Sequence, residues 1–270
     1  MTKTILITGA GSGFAEAAAI GMAQAGHNII ATAQISPQVA ALREKAAKLG
    51  LDNLRVEKLD LTDPYDMAFI AKLDVDILWN NAGYGESGPV SEIPLDLVRK
   101  NYEINVFKPL ELTQAFIKRW VAEGDAARGK KIVFTSSMGG LFTPAGWGTY
   151  VSTKHALESI SEAIAQEVAP FGIKVQTINP GAYYTGFNET MADTAFRWLD
   201  AEKNFTNPDD LRATFDALLA SPMGHMNAQE QIDRMIAIVP ADTGKVRNVS
   251  PKAVEDMLKE AQAAAWDAEI

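Results

Sequence analysis

Three residues carry the chemistry that this chain is equipped to do: Ser137, Tyr150 and Lys154. Tyr150 and Lys154 stand four apart at the start of an apolar-periodic segment, so a helix there puts them on one face. Ser137 closes the run IVFTSS from Ile132, which reads as a buried strand. Strand ends are where an open α/β sheet presents its reactive groups. A phenol with a pKa near ~10 exchanges protons poorly at neutral pH. A unit positive charge about 4 Å away contributes roughly 4 kcal/mol at an effective dielectric of ~20, or about three pKa units. Lys154 is spaced to supply that charge, and the Ser137 hydroxyl can hold a carbonyl or alcohol oxygen. The trio suits proton transfer coupled to hydride transfer. Taken alone, YxxxK fits equally well a helix-start tyrosine above a solvated lysine, so the elements around it decide.

Those elements begin at once. Residues 4–8 (TILIT) form an apolar run that breaks into GAGSGFAEAAAIGMAQAG, a glycine-rich turn entering an Ala-rich helix. Strand, glycine turn and helix make the first unit of a dinucleotide-binding βαβ fold. Gly9 and Gly11 permit a tight turn, and Gly13, flanked by Ser12 and Phe14, lets backbone N–H groups approach a pyrophosphate. His27–Ala33 reads as a second strand ending at Gln34, where an adenosine ribose would lie. An acidic residue there selects NAD and a nearby Arg accommodates a 2′-phosphate. Gln34 is neither, and the missing carboxylate tips the expectation to NADP, with NAD still possible. Residues 37–49 read as a helix and Leu54–Leu59 as a third strand. Asp60 and Leu61 then either edge the adenine or, for Asp60, cap a helix ahead of Pro64. Val75–Trp79 reads as a fourth strand, with Trp79 in the core, opening into Asn80, Asn81, Ala82 and Gly83. Small residues there permit close backbone approach to a ligand. The alternation predicts an α/β fold: a Rossmann-type, doubly wound parallel sheet in three layers (αβα), with all 270 residues in one domain.

Composition narrows the partners. A net charge of −9 and a pI near 4.9 argue against nucleic acid or an anionic membrane surface. The absence of cysteine excludes disulfides and thiolate catalysis, and the scattered His27, His155 and His225 do not suggest a metal cluster. A first strand from Thr4 leaves no room for a signal peptide, and no apolar run reaches membrane-spanning length, so a cytoplasmic protein is expected.

The chain resembles the short-chain dehydrogenase/reductase family over roughly residues 4–187. TGAGSGFA at Thr8–Ala15 is similar to the family's TGxxxGxG turn, with Ala15 in place of the last glycine. NNAG at Asn80–Gly83 is intact, and Asn105 falls where the family places a catalytic asparagine. Ser137 precedes Tyr150 by the family's usual interval, YVSTK supplies Tyr150 and Lys154, and Pro180, Gly181 and Thr185 follow a strand at Ile173–Ile178 as in the family's PG-x-x-x-T segment. The phrase beginning YVSTKHALES most resembles hydroxysteroid- and retinol-dehydrogenase-like members, which often use NADP. The resemblance implies Tyr150 as general acid/base and Lys154 lowering its pKa while bonding the nicotinamide ribose. It further implies Ser137 orienting the substrate oxygen, Asn105 holding a water that links Lys154 to solvent, and Thr185 binding the carboxamide. Asn105 and Thr185 read equally as structural polar residues, and His155, about 100° round the helix from Lys154, as a bystander.

Past Thr185 the sequence inserts a segment at about 186–225 rich in Met191, Phe196, Trp198, Leu199, Phe205, Phe215, Leu218, Leu219 and Met223. Its position after the cofactor loop makes it a candidate substrate lid over a moderately apolar carbonyl or alcohol, although helical apolar spacing also builds core. Tyr183 and Tyr184 either line that pocket or pack the loop. Pro222, Met223 and Gly224 mark a break, Ala228–Val239 reads as a helix and Lys245–Val249 as the last strand. Ser250 then suits the N-cap of a final helix with Pro251 at its first position. Helices around 103–121 and 150–169 carry more apolar surface than one sheet face needs, which suggests a homodimer. The reading is an NAD(P)(H)-dependent oxidoreductase; a dinucleotide-binding regulator and a non-redox lyase or epimerase on the same scaffold are the alternatives.

Overall fold

The computed structural model describes residues 1–221 and 226–269; the break expected at Pro222, Met223 and Gly224, together with His225, lies outside the described residues. Among those described, seven parallel strands form one sheet in the order β3-β2-β1-β4-β5-β6-β7. The strands are β1 (Thr4–Ile7), β2 (Asn28–Ala33), β3 (Leu54–Lys58), β4 (Ile77–Asn80), β5 (Lys131–Thr135), β6 (Lys174–Pro180) and β7 (Arg247–Ser250). Between them run α1 (Gly13–Gln24), α2 (Ser36–Lys48), α3 (Pro64–Ile70), α4 (Leu95–Tyr102), α5 (Lys108–Ala122), α6 (Gly148–Val168), α7 (Phe187–Thr194), α8 (Pro208–Ala220) and α9 (Ala228–Ile238), with α10 (Lys252–Ala265) at the end.

Inner strands covered on both faces need side chains that are apolar in both directions, which is why they read as unbroken apolar runs. Along β1, Ile5 and Ile7 point into one core with Ala18, Met22, Leu42 and Met235, whereas Leu6 points into the other with Phe116, Trp120, Leu157 and Ile164. The sheet therefore has α1, α2 and α9 on one side and α3, α5 and α6 on the other. Strand order reverses between β1 and β4, and a ligand crevice opens at the carboxyl ends of the strands at such a switch point.

The structure moves several local expectations. Asp63, not Asp60, caps α3, accepting from the backbone N–H of Tyr65 at 2.9 Å with Pro64 behind it. Ser250 does not cap the last helix. It ends β7, pairs in register with Pro180 and hydrogen-bonds Gln231 through its hydroxyl, and Pro251 occupies the cap position of α10. Trp79 is core, as its place in a strand implies, and is fully buried. The segment around 103–121 is interrupted by a π-helical turn, Glu103–Phe107, between α4 and α5.

Lys131 ties the last third of the chain to the sheet. It opens β5 with its side chain buried, and its ammonium donates to the carbonyls of Ile238, Val239 and Ala241 at 3.0–3.1 Å, closing the end of α9. Lys131→Met keeps most of the apolar stem but orphans those buried acceptors. It should lower unfolding stability by about 1–3 kcal/mol, measured by urea denaturation.

Candidate active site

The crevice is built from the ends of β1, β4 and β5. Gly9 follows β1 with φ +67°, and a Cβ there would lie 2.7 Å from the Ala82 Cα, so glycine lets the first turn and the loop after β4 touch. The Thr8 hydroxyl accepts from the N–H groups of Asn81 and Ala82 at 2.9 and 3.0 Å, and the Asn81 amide donates to the Thr8 and Gly9 carbonyls. Thr135, ending β5, donates to the Asn81 side-chain oxygen at 3.0 Å and accepts from the Trp79 indole at 2.8 Å. The NNAG segment is thus a bracket joining three strand ends. Beside it, Ser12 stands at the N-cap of α1 with no side-chain capping bond, and a Cβ on Gly13 would meet nothing within 4 Å. Open backbone N–H groups at a helix N-terminus fit a pyrophosphate.

The acid/base candidates come from the β5–α6 junction. Ser137 leads a 3₁₀ turn (Met138–Gly140), its hydroxyl accepting from the Gly139 N–H at 3.0 Å. Tyr150 and Lys154 lie on the first turns of α6, both buried. The Lys154 ammonium donates to the Thr135 carbonyl at 2.9 Å and lies 5.5 Å from the centre of the Tyr150 ring. Burial lowers the Lys154 pKa to about 8, with Glu158 one turn below acting against it. Burial raises that of the Tyr150 phenol above its ordinary value, opposed by a hydrogen bond from Ser137. The lowering expected from Lys154 is therefore not seen: desolvation sets the direction of the Tyr150 shift.

Asn105 sits in the π-helical turn. Its side-chain oxygen accepts from the Tyr84 N–H at 2.8 Å, and its amide donates to the Tyr84 carbonyl at 2.7 Å and to the Thr153 hydroxyl at 3.0 Å. These bonds fix the loop after β4. Across Gly83 it faces the acid/base group: a Cβ on that glycine would lie 3.7 Å from both the Asn105 oxygen and the Lys154 nitrogen.

One cleft of about 780 Å³ collects the remaining candidates: Gly9, Gly11, Ser12, Gly13, Phe14, Gln34, Asp60, Leu61, Asn81, Ala82, Gly83, Ser137, Tyr150, Lys154, Pro180, Gly181 and Thr185 all line it, and Asn105 does not. At the β2 end, the Gln34 amide donates to Asp60 at 3.2 Å. Burial works against ionisation of Asp60, but bonds from Thr62 and Gln34 hold its pKa below the usual value. The lining cations, Lys100, Lys154 and Arg197, cluster around Tyr84 and Tyr150 instead. Tyr183 is buried and packs edge-on against Phe14 while also lining the cleft; Tyr184 is exposed. His155 is exposed, its ring nitrogen near the Val151 carbonyl.

Sequence reasoning missed what fastens residues 187–206, which line part of this cleft, to the loop after β4. Glu86 is fully buried, bonded by the Tyr84 hydroxyl and by Arg197 at 3.1 and 3.2 Å. Thr194 accepts from the Ser87 N–H at 2.8 Å, and Glu92 holds the N–H of Phe205 at 2.7 Å. Met191 and Trp198 seat on glycines: Cβ atoms on Gly85 and Gly88 would lie 2.3 Å from their side chains. Met191, Phe215, Trp147 and Tyr150 share one apolar cluster with Phe196, Trp198, Leu218 and Leu219 around it, whereas Phe205 is exposed. Glu86 follows no spacing rule that marks it in the sequence; a lone acid after a glycine reads as surface.

A model of the short chain dehydrogenase family matches residues 3–195. The chain belongs to that family. This short-chain dehydrogenase is 35% identical over 194 residues to the uncharacterized oxidoreductase YusZ of Bacillus subtilis, covering 70% of this chain and 68% of the relative. Among solved structures, a short-chain dehydrogenase from Streptomyces avermitilis superposes with a TM-score of 0.78 at 27% identity, covering 99% of this chain and 95% of the other. A short-chain dehydrogenase from Sphingobium yanoikuyae in complex with NADPH gives 0.72 at 24% identity, covering 99% and 96%. Membership makes the protein an oxidoreductase of the CH–OH/C=O class, and among its described residues no helix is long and apolar enough to cross a membrane.

Arg197→Gln removes the cation from buried Glu86 at the seam between the short-chain dehydrogenase core and the 187–206 segment. Limited proteolysis within 187–206 should speed up by about tenfold, corresponding to ~1.4 kcal/mol of local stability, while the midpoint of global unfolding changes little.

Proposed function

We propose that this oxidoreductase interconverts a secondary alcohol and a ketone, or reduces an aldehyde, with NADP preferred and NAD admitted. The observation that carries the reading is the convergence of Ser137, Tyr150 and Lys154 on the wall of a cleft that also receives the open N-terminus of α1. Gly9, Gly11, Ser12 and Gly13 would hold the pyrophosphate, Gln34, Asp60 and Leu61 the adenosine end, and Asn81, Ala82, Gly83, Pro180, Gly181 and Thr185 the nicotinamide half. When bound, the nicotinamide supplies or takes up the hydride. In the reductive direction the Ser137 hydroxyl orients the carbonyl oxygen and Tyr150 delivers its proton to that oxygen, leaving a phenolate. Lys154, a buried cation beside the ring, stabilises that phenolate, and its charge matters more for lying away from water. Asn105 serves this site by holding the Tyr84 backbone, which supports a positioning role in preference to a direct one.

The 187–220 segment acts as the substrate lid in this reading. Phe187, 5.6 Å from the Tyr150 ring, and Met191 offer apolar surface next to the reacting oxygen, which favours a moderately apolar substrate. The neutral Gln34 amide, in place of the carboxylate that selects NAD, supports the NADP preference. Along α5 and α6, Leu110, Ile117, Ile160 and Ile164 line an apolar groove of about 490 Å³ that suits the interface of a homodimer. The acidic, cysteine-free chain fits the cytoplasm.

Fluorescence titration should give tighter binding of NADPH than of NADH, and Gln34→Asp should shift that ratio toward NADH by about tenfold, or ~1.4 kcal/mol. Tyr150→Phe should leave NADPH affinity within about twofold and cut ketone reduction by roughly 10²-fold or more. Retained turnover in that variant removes Tyr150 from the acid/base role, and binding of neither dinucleotide to folded protein removes the reading as a whole.

A further inference from the structure

Glu158 has no part in the reaction as described, yet it lies buried on the helix that carries Tyr150 and Lys154. It lies one turn below Lys154 on α6 and is only 5% exposed. A carboxylate so far from water requires partners. One oxygen accepts from the Asn179 amide at 2.6 Å and the other from the Arg247 guanidinium at 2.9 Å. Arg247, on β7, also reaches Glu162 at the surface at 2.6 Å. The same Asn179 amide donates to the Ser137 carbonyl at 3.2 Å, and the Asn179 oxygen accepts from the Thr177 hydroxyl. A Cβ on Gly140 would lie 3.1 Å from both the Glu158 side chain and the Lys154 carbonyl, so the turn that follows Ser137 rests directly on Glu158.

We propose that Glu158 is a positioning residue for the acid/base centre: a single buried carboxylate that anchors the Ser137 backbone through Asn179 and, ion-paired with Arg247, sets the charge that Lys154 meets from the next turn of α6. This rests on the alcohol–ketone reading given above. Lys154 is faced by Tyr150 and Glu158 from α6, by the Thr135 carbonyl from β5, and by Gly83 from the loop after β4 with Asn105 beyond it. Of these Glu158 is the one carboxylate, and Arg247 pairs with it from β7 at 2.9 Å. Asn105 is neutral, with its amide committed to Tyr84 and Thr153. The carboxylate raises the proton affinity of Lys154 against the lowering by burial, so the ammonium persists up to about pH 8. Above that pH the positive charge beside Tyr150 disappears, and reduction should slow with it.

The test reads Lys154 directly. Heteronuclear NMR of the lysine Cε–H groups in the cofactor-free protein, with the Lys154 signal identified by its loss in Lys154→Met, should show titration near pH 8. Glu158→Gln should move that step down by about one pH unit, and Arg247→Gln, which leaves the carboxylate unneutralised, should move it up. With NADPH and a reducible ketone, the alkaline limb of kcat/KM should move in the same directions, with Glu158→Asp restoring most of the wild-type profile. If Glu158→Gln does not fold, Arg247→Gln decides alone. An unmoved Lys154 step, with only thermal stability lowered, makes Glu158 a packing residue and overturns the proposal. A step that moves while the kcat/KM limb does not overturns the positioning role. A step that moves in a protein that turns over no carbonyl compound supports the coupling of Glu158 to Lys154 and overturns the alcohol–ketone reading instead.

Discussion

An ammonium group held out of water is the constraint around which the site is arranged. Lys154 bonds the Thr135 carbonyl, a group released from the sheet only because β5 ends there. Its depth in the protein makes its charge potent and also unstable, since the same desolvation that strengthens its field on Tyr150 favours loss of its proton. The surrounding structure reduces that conflict. Thr135 is pinned by Asn81 and Trp79, so the carbonyl it offers does not drift, and Glu158 supplies negative charge from the next turn of the same helix. The bracket of strand ends and the long, uninterrupted α6 are what a buried cation requires on its two sides.

The segment after Gly186, which lines part of the cleft, solves a different problem. Much of its apolar surface faces inward, making one cluster with Tyr150 and Trp147, while its placement against the loop after β4 is set by a few polar pairs: buried Glu86 with Arg197, buried Ser87 with Thr194, and, at the surface, Glu92 with the Phe205 backbone. Apolar contact is not directional, whereas a buried carboxylate accepts few arrangements. The first supplies cohesion and the second supplies register.

The fold was legible in the sequence because buried parallel strands leave apolar runs, and α/β alternation leaves few topologies. The cleft residues were legible because a glycine turn, NNAG and YxxxK are short local patterns, ambiguous singly and specific in combination. Local end effects were not: Ser250 has the composition of a helix cap, but pairing of β7 with β6 drew it into the sheet and passed the cap position to Pro251. Asp60 and Asp63 are chemically alike, and only the start of α3 decides which of them caps it. Glu86, Arg197 and Arg247 act through partners dozens of residues away, and no window along the chain holds both members. Glu158 is the intermediate case. Its four-residue interval from Lys154 is visible in the sequence, but such pairs ordinarily sit on solvated helix faces, and its burial appears only once β6 and β7 are in place.

Met191 over Gly85 and Trp198 over Gly88 join two stretches about a hundred residues apart into one fitted part. Neither stretch is free to diverge alone: added bulk at either glycine has no room unless the facing side chain shrinks, and a smaller residue at Met191 or Trp198 leaves a void beside the cleft. The loop after β4 and the start of the 187–206 segment therefore form a matched set. A chimera between related enzymes that exchanges only that segment breaks the match, whereas one that moves residues 83–92 with it preserves the match and carries the donor's cleft geometry intact.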